Sequence, residues 1–242
     1  MSTHSDGHDV KALLPYVVPH VHGPQYARPL QSVRISGSRS HVRILVWTEP
    51  DIGVDGSARA DLSIMIDGLF VDKYDCSRKV SDSVMQFLPL DSLVTLEVHD
   101  DTWSKKRVWL RHAQRWSLLQ HVHLSCAAAS GFRDMLLADE GGRECPLLPS
   151  LIKLVLDRTR LSGGRTLRFC DAFMKRAEQG VPLETLDLST CLASSRAVQL
   201  LREIVADVWG PSERYEKSAQ ALSIWHPHAR GLFVRDEDSD DD

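Results

Sequence analysis

The chain has 242 residues, 43% hydrophobic and 26% charged, the profile of a soluble globular protein of one large domain or two small ones. A formal net charge of -4 gives no electrostatic footprint for nucleic acid, and no apolar run approaches the roughly 18 residues that would suggest a membrane helix. Five cysteines without a CxxC pair or secretion features suit reduced thiols in a cytoplasmic or nuclear protein.

Residues 1–10 are polar, lack a signal-peptide pattern and are expected to be disordered. ALLPYVV then reads as a helix leading into LQSVRISGSRS, which begins at Leu30. Two short alternating runs, 33–35 and 42–46, are split by Gly37 and Ser38, the pattern of a hairpin-like elaboration. DLSIMIDG follows from Asp61, with Ile64 and Ile66 in phase. Val80, Val84, Phe87 and Leu88 have helical spacing ahead of LVTLEVHDDTW, which begins at Leu93. Trp109, His112, Ala113 and Trp116 repeat that spacing ahead of LQHVHLSCAAA, from Leu119. LIKLVLDRTRL begins at Leu151 and LETLDLSTCLA at Leu183. Between them Leu167, Cys170, Phe173, Met174 and Ala177 suggest an amphipathic helix stopped by Gly180. Val198, Leu201, Ile204, Val205 and Val208 suggest another, ended by Gly210 and Pro211. Residues 211–235 hold one apolar stretch, ALSIW, and read as a terminal cap; residues 236–242 are an acidic tail expected to be disordered.

The phrases share the pattern L-x-x-L-x-L-x-x-N/C-x-L, the signature of a leucine-rich repeat. Their starts at 119, 151 and 183 are 32 apart, and the gap from 30 to 93 leaves room for one repeat at Asp61. Residues 11–210 are therefore expected to form an α/β leucine-rich-repeat solenoid, with parallel strands on the concave face and helices on the convex face. Strands are expected near 32–36, 62–67, 94–99, 120–125, 152–157 and 184–189. Positions four and six of the phrase point inward, and positions three, five and seven point outward. The ninth position, held by Ser38, Asp101, Ala127, Thr159 and Cys191, turns inward, which makes Cys191 a buried small hydrophobe rather than a reactive thiol.

Chemical motifs are sparse. Three His-x-His pairs, His20/His22, His121/His123 and His226/His228, have the spacing of strand-borne zinc ligands, and Glu97 is the expected neighbour of His123. No general base accompanies them, so ordinary polar surface is the preferred reading and a metal-dependent hydrolase the alternative. SGGR, residues 162–165, lacks the ending of a phosphate-binding loop and reads as the lead into a helix, and EGGREC, residues 140–145, is a turn. No nucleophile elbow or HExxH motif is present, so neither enzymatic activity nor a cofactor is expected. What remains is a mixed outward face, and the residues expected to bind a protein partner are Arg34, Met65, Thr95, Glu97, His121, His123, Lys153, Val155, Thr185 and Asp187.

LLPSLIKLVLDRTRL and LRFCDAFMKRAEQGVPLETLDLSTCLASSRAVQLLREIVADV strongly resemble the last two repeats of F-box family proteins from mushroom-forming fungi. LLPYVVPHVHGPQYARPLQSVRI and VRILVWTE resemble earlier repeats of that family more loosely, so that most of residues 11–209 is covered. The resemblance implies repeats that hold a protein substrate for a ubiquitin ligase. In the family an F-box helix bundle docks on a Skp1-like subunit, but the short polar segment ahead of ALLPYVV supplies no visible F-box. A Skp1-like partner is thus expected only through a longer parent chain, with neither nucleic acid nor membrane as a partner.

Overall fold

The computed structural model describes residues 28–37, 41–50, 60–67, 75–99, 101–138 and 146–211. Alternating apolar residues make the strands: β1 Ser32–Gly37, β2 His41–Trp47, β3 Leu62–Asp67, β4 Thr95–His99, β5 His121–Ser125, β6 Lys153–Asp157, β7 Arg160–Leu161, β8 Thr185–Asp187, β9 Leu192–Ala193 and β10 Asp207–Trp209. Between them lie α1 Asp75–Phe87, a 3-10 turn at Asp101–Ser104, α2 Lys106–Ala113, α3 Cys126–Leu136, α4 Gly164–Glu178 and α5 Ser195–Arg202. The result is a mixed α/β fold around an eight-stranded, mostly parallel sheet of order β10-β8-β6-β5-β4-β1-β2-β3. The expected helix at ALLPYVV, the terminal cap and the acidic tail lie outside the described residues.

In the copies that begin at Leu30, Leu93, Leu119, Leu151 and Leu183, positions one, four and six are at most 3% exposed, including Leu154, Leu156, Leu186 and Leu188. Each such side chain contributes roughly 1.5–3 kcal/mol by leaving water. In the copy at Asp61, Asp61 is exposed and Ile64 only partly buried. The strands stack in register, Leu96 beside Val122, Val122 beside Leu154 and Leu154 beside Leu186. One backbone bond recurs at every step. The position-three N–H of Thr95, His121, Lys153 and Thr185 donates at 3.0 Å to the position-two carbonyl of Gln31, Val94, Gln120 and Ile152 respectively. Beyond the main sheet, β7 and β9 pair in parallel as a second short ladder. Near it Cys191, at the ninth position, is buried, and its thiol donates to the Leu156 carbonyl of β6 at 3.0 Å.

Four expectations need correction. First, 62–67 does not sit between the strands that begin at 32 and 95. β1 pairs directly with β4 in parallel, and the chain from β1 runs out through antiparallel β2 to β3 at the far edge. The hairpin expected at 33–46 is present, and it carries the next strand away from the parallel stack. Second, α4 buries Thr166, Phe169, Cys170, Phe173 and Arg176, while Leu167 and Met174 are exposed and so is Ala177. The inward stripe is rotated because Arg176, a charged residue, belongs to it. Third, the helix expected through Val208 ends at Arg202, and Val208 lies in β10, parallel to β8. Fourth, Phe87, expected on the inner face of α1, is exposed.

The helix ends follow their local chemistry. Gly180 takes a φ of 78° and donates to Ala177, while Val181 donates to Arg176; this paired closure of a helix C-terminus favours glycine. Ser194 caps α5 by accepting from the Ala197 N–H. On the helical side of the sheet, Trp103, His112 and Trp116 stack face to face and Trp109 meets Trp103 edge-on. Burial, reinforced by Arg111 and Arg115, pushes the His112 pKa down to about 4, so the ring is neutral near pH 7. Its Nε2 meets Asp82 Oδ1 at 2.7 Å, and Arg111 also pairs with Asp82. That arginine offsets the carboxylate, which would otherwise favour a charged imidazole.

Candidate functional site

The face of the sheet opposite the leucines carries the residues singled out above. Strand register arranges them in rows across the sheet. Thr95, His121, Lys153, Thr185 and Asp207 form one row, reached from Ser32. Arg34, Glu97, His123, Val155, Asp187 and Trp209 form the next. All eight expected residues from Thr95 to Asp187, taking positions three and five of the four strands, are half-buried, in contrast to their sealed neighbours.

One expected member, Met65, and one further outward position, Ser32, behave differently. Met65 is exposed but lies two strands beyond β1, opposite Arg43, which in turn faces Ser36. It therefore stands apart from the Arg34–Glu97 row, because β3 occupies the sheet edge. Ser32, an outward position by parity, is fully buried, and its hydroxyl donates to the Glu49 carbonyl. Residues 48–50 fold back over this end, where Thr95 also donates to the Pro50 carbonyl.

Direct pairing of β1 with β4 sets Arg34 against Glu97, an ion pair formed through Nε and Oε2. His99 Nε2 lies 3.7 Å from the same oxygen, and His123 Nδ1 lies 3.9 Å from Oε1. Burial would raise the Glu97 pKa. His123, His99 and Arg34 together outweigh it and hold the carboxyl well below the usual carboxylate range. Glu97 is thus ionised, and the arginine beside it also sits 5.7 Å over the Trp47 ring. At the other edge Lys153 lies 5.5 Å over the ring of Trp209, which is half-exposed and donates to Asp207. Asp187 accepts from the Ser189 N–H in a tight turn.

His99, Trp47 and Trp209 escaped the sequence reading. His99 occupies position seven, which shares strand parity with Thr95 and Glu97, so the signal was present. Trp209 could be placed only by recognising β10. His121, first paired with His123 as a metal ligand, stands in the neighbouring row, and His99 takes its place beside Glu97 and His123. The donor atoms of Glu97, His99 and His123 lie within 4.8 Å of one another. Two thiols of the parallel-strand region are closed to such chemistry: Cys170 and Cys191 are buried, and burial, then Asp171, pushes the Cys170 thiol up.

No protein-family model, curated protein or solved structure matches the chain. Among the described residues no helix is long and apolar enough to cross a membrane.

Proposed function

We propose that the chain is a protein-binding module, built as a leucine-rich-repeat solenoid and recognising its partner through the outward face of the parallel strands. The observation that carries this reading is the two outward rows. A continuous field of acidic, basic, imidazole and indole groups is presented from successive strands whose other side is sealed in core. Such a surface has the mixed polar and aromatic character of a specific interface. The identical backbone bond at four successive strands supports the repeat architecture. The resemblance to fungal F-box proteins suggests the substrate-recognition part of a ubiquitin-ligase adaptor, acting without catalysis in the cytoplasm or nucleus. A Skp1-like subunit would join only through an F-box in a longer chain.

Cross-linking mass spectrometry on a complex with a co-purified partner tests the choice of face. Links are expected at Lys153, Glu97 and Asp187 in preference to Lys105 and Lys106 at the start of α2 or Glu178 on α4. Links confined to the helices would contradict the proposal.

A further inference from the structure

We propose that Glu97, His99 and His123 form a binding site for a zinc-class divalent cation on the outward face of the sheet. Glu97 and His99 project from β4 with the same parity, and His123 is the register partner of Glu97 on β5. The arrangement is therefore set by the backbone ladder rather than by a loop.

The spacing is informative. At 3.7 Å and 3.9 Å, the two imidazole nitrogens are too far from Glu97 for direct hydrogen bonds. Around a tetrahedral zinc, with bonds of about 2.0–2.1 Å, ligand atoms stand about 3.3–3.4 Å apart. Inward rotation of the side chains closes that difference, and because the three donor atoms lie within 4.8 Å of one another the two imidazoles must also swing toward each other to complete the set. The histidines have room for it, with side chains 23% and 31% exposed beside a Glu97 that is 14% exposed. Two imidazoles and one carboxylate suit zinc better than calcium or magnesium, which favour all-oxygen shells. The fourth position would face away from the core, toward whatever lies on the recognition surface.

Arg34 is the competing cation. It holds Oε2 of Glu97, while Oε1 faces His123, and the Trp47 ring offers the guanidinium a second seat. Metal and arginine thus draw on the same carboxylate, and removing the arginine should favour the metal.

The site does not rest on the recognition reading, since zinc is measured without a partner. Zinc sulfate is titrated calorimetrically into the chelator-treated full chain at neutral pH. One saturable site is expected, weakened at least about tenfold by His99→Ala or by His123→Ala, since even outer partners of a metal carry that much. His121→Ala should match the parent, and Arg34→Gln should bind more tightly. Cobalt(II) added to the unmodified chain supplies a readout independent of any variant, the visible absorption of a tetrahedral site. Absence of saturable zinc uptake, uptake that survives in a folded His99→Ala or His123→Ala variant, loss in His121→Ala, or no tetrahedral cobalt spectrum would overturn the proposal.

Discussion

Arg176→Leu should lower the stability of the fold by about 2–4 kcal/mol in chemical denaturation, with Arg176→Lys recovering less than half of the loss. The Arg176 side chain is buried near the C-terminal end of α4, and its guanidinium donates to the carbonyls of Leu147, Leu148 and Leu151 at 2.8, 3.1 and 3.2 Å. Those carbonyls belong to the bend that leads into β6. Leu148 has a φ of 51°, a left-handed conformation disfavoured for a leucine, and its side chain is buried. Three bonds from one planar cation hold that bend against its strain. Burying the guanidinium has a cost, seen in a pKa pushed down to about 10. The Leu148 carbonyl keeps the Leu151 N–H as a partner, so two acceptors, Leu147 and Leu151, are abandoned; at roughly 1–3 kcal/mol each they outweigh the relief of desolvation. Lysine cannot span three acceptors with the same geometry. A leucine variant as stable as the parent would show that the bend holds without the guanidinium.

Gly131→Ala should cost about 3 kcal/mol or more, the upper end of the overpacking range, or prevent folding. Gly131 lies in α3 where the helix presses on the 3-10 turn. A Cβ there would stand 2.5 Å from the Trp103 carbonyl oxygen and 2.6 Å from the carbonyl carbon and oxygen of Ser104. These are backbone atoms, and no rotamer change relieves the clash. The turn cannot retreat cheaply either. Trp103 is fully buried, its carbonyl accepts from the Trp109 indole at 2.7 Å, and its ring is packed among Trp109, His112 and Trp116. A thermal melt comparing Gly131→Ala with Gly164→Ala separates this from helix propensity, since nothing lies within 4 Å of a Cβ at position 164. Equal melting temperatures for the two variants would contradict the close approach.

Neither residue was legible in the sequence, and the reasons are physical. Strand periodicity reports which side chains face the core, so Leu154, Leu186 and their counterparts could be placed from spacing alone. The register that sets Glu97 beside His123 followed from the same phrase. Arg176 fell outside the apolar spacing because its side chain is charged, whereas its value lies in three carbonyls presented by a distant bend. Gly131 was silent because a glycine demanded by a neighbouring backbone leaves no local pattern. The position of β3 was ambiguous in principle: Ile64 and Ile66 fit both a parallel repeat and an antiparallel edge strand, since both bury alternate residues. That ambiguity concealed the Arg34–Glu97 pair, which exists because β1 and β4 are immediate neighbours. The late break in α5 was hidden similarly, because Val205 and Val208 are buried by a turn and a strand at a spacing that also suits a helix.

The most direct measurement for the outward-face reading is the affinity of an identified partner for the triple variant Glu97→Ala, His123→Ala, Lys153→Ala, compared with the parent chain. Glu97→Ala leaves Arg34 without its carboxylate, so some stability is lost, and denaturation curves must show that the variant remains folded. Because a few central residues dominate most interfaces, the partner's affinity should fall by about tenfold or more. A folded triple variant that binds the partner as tightly as the parent would contradict recognition through this face.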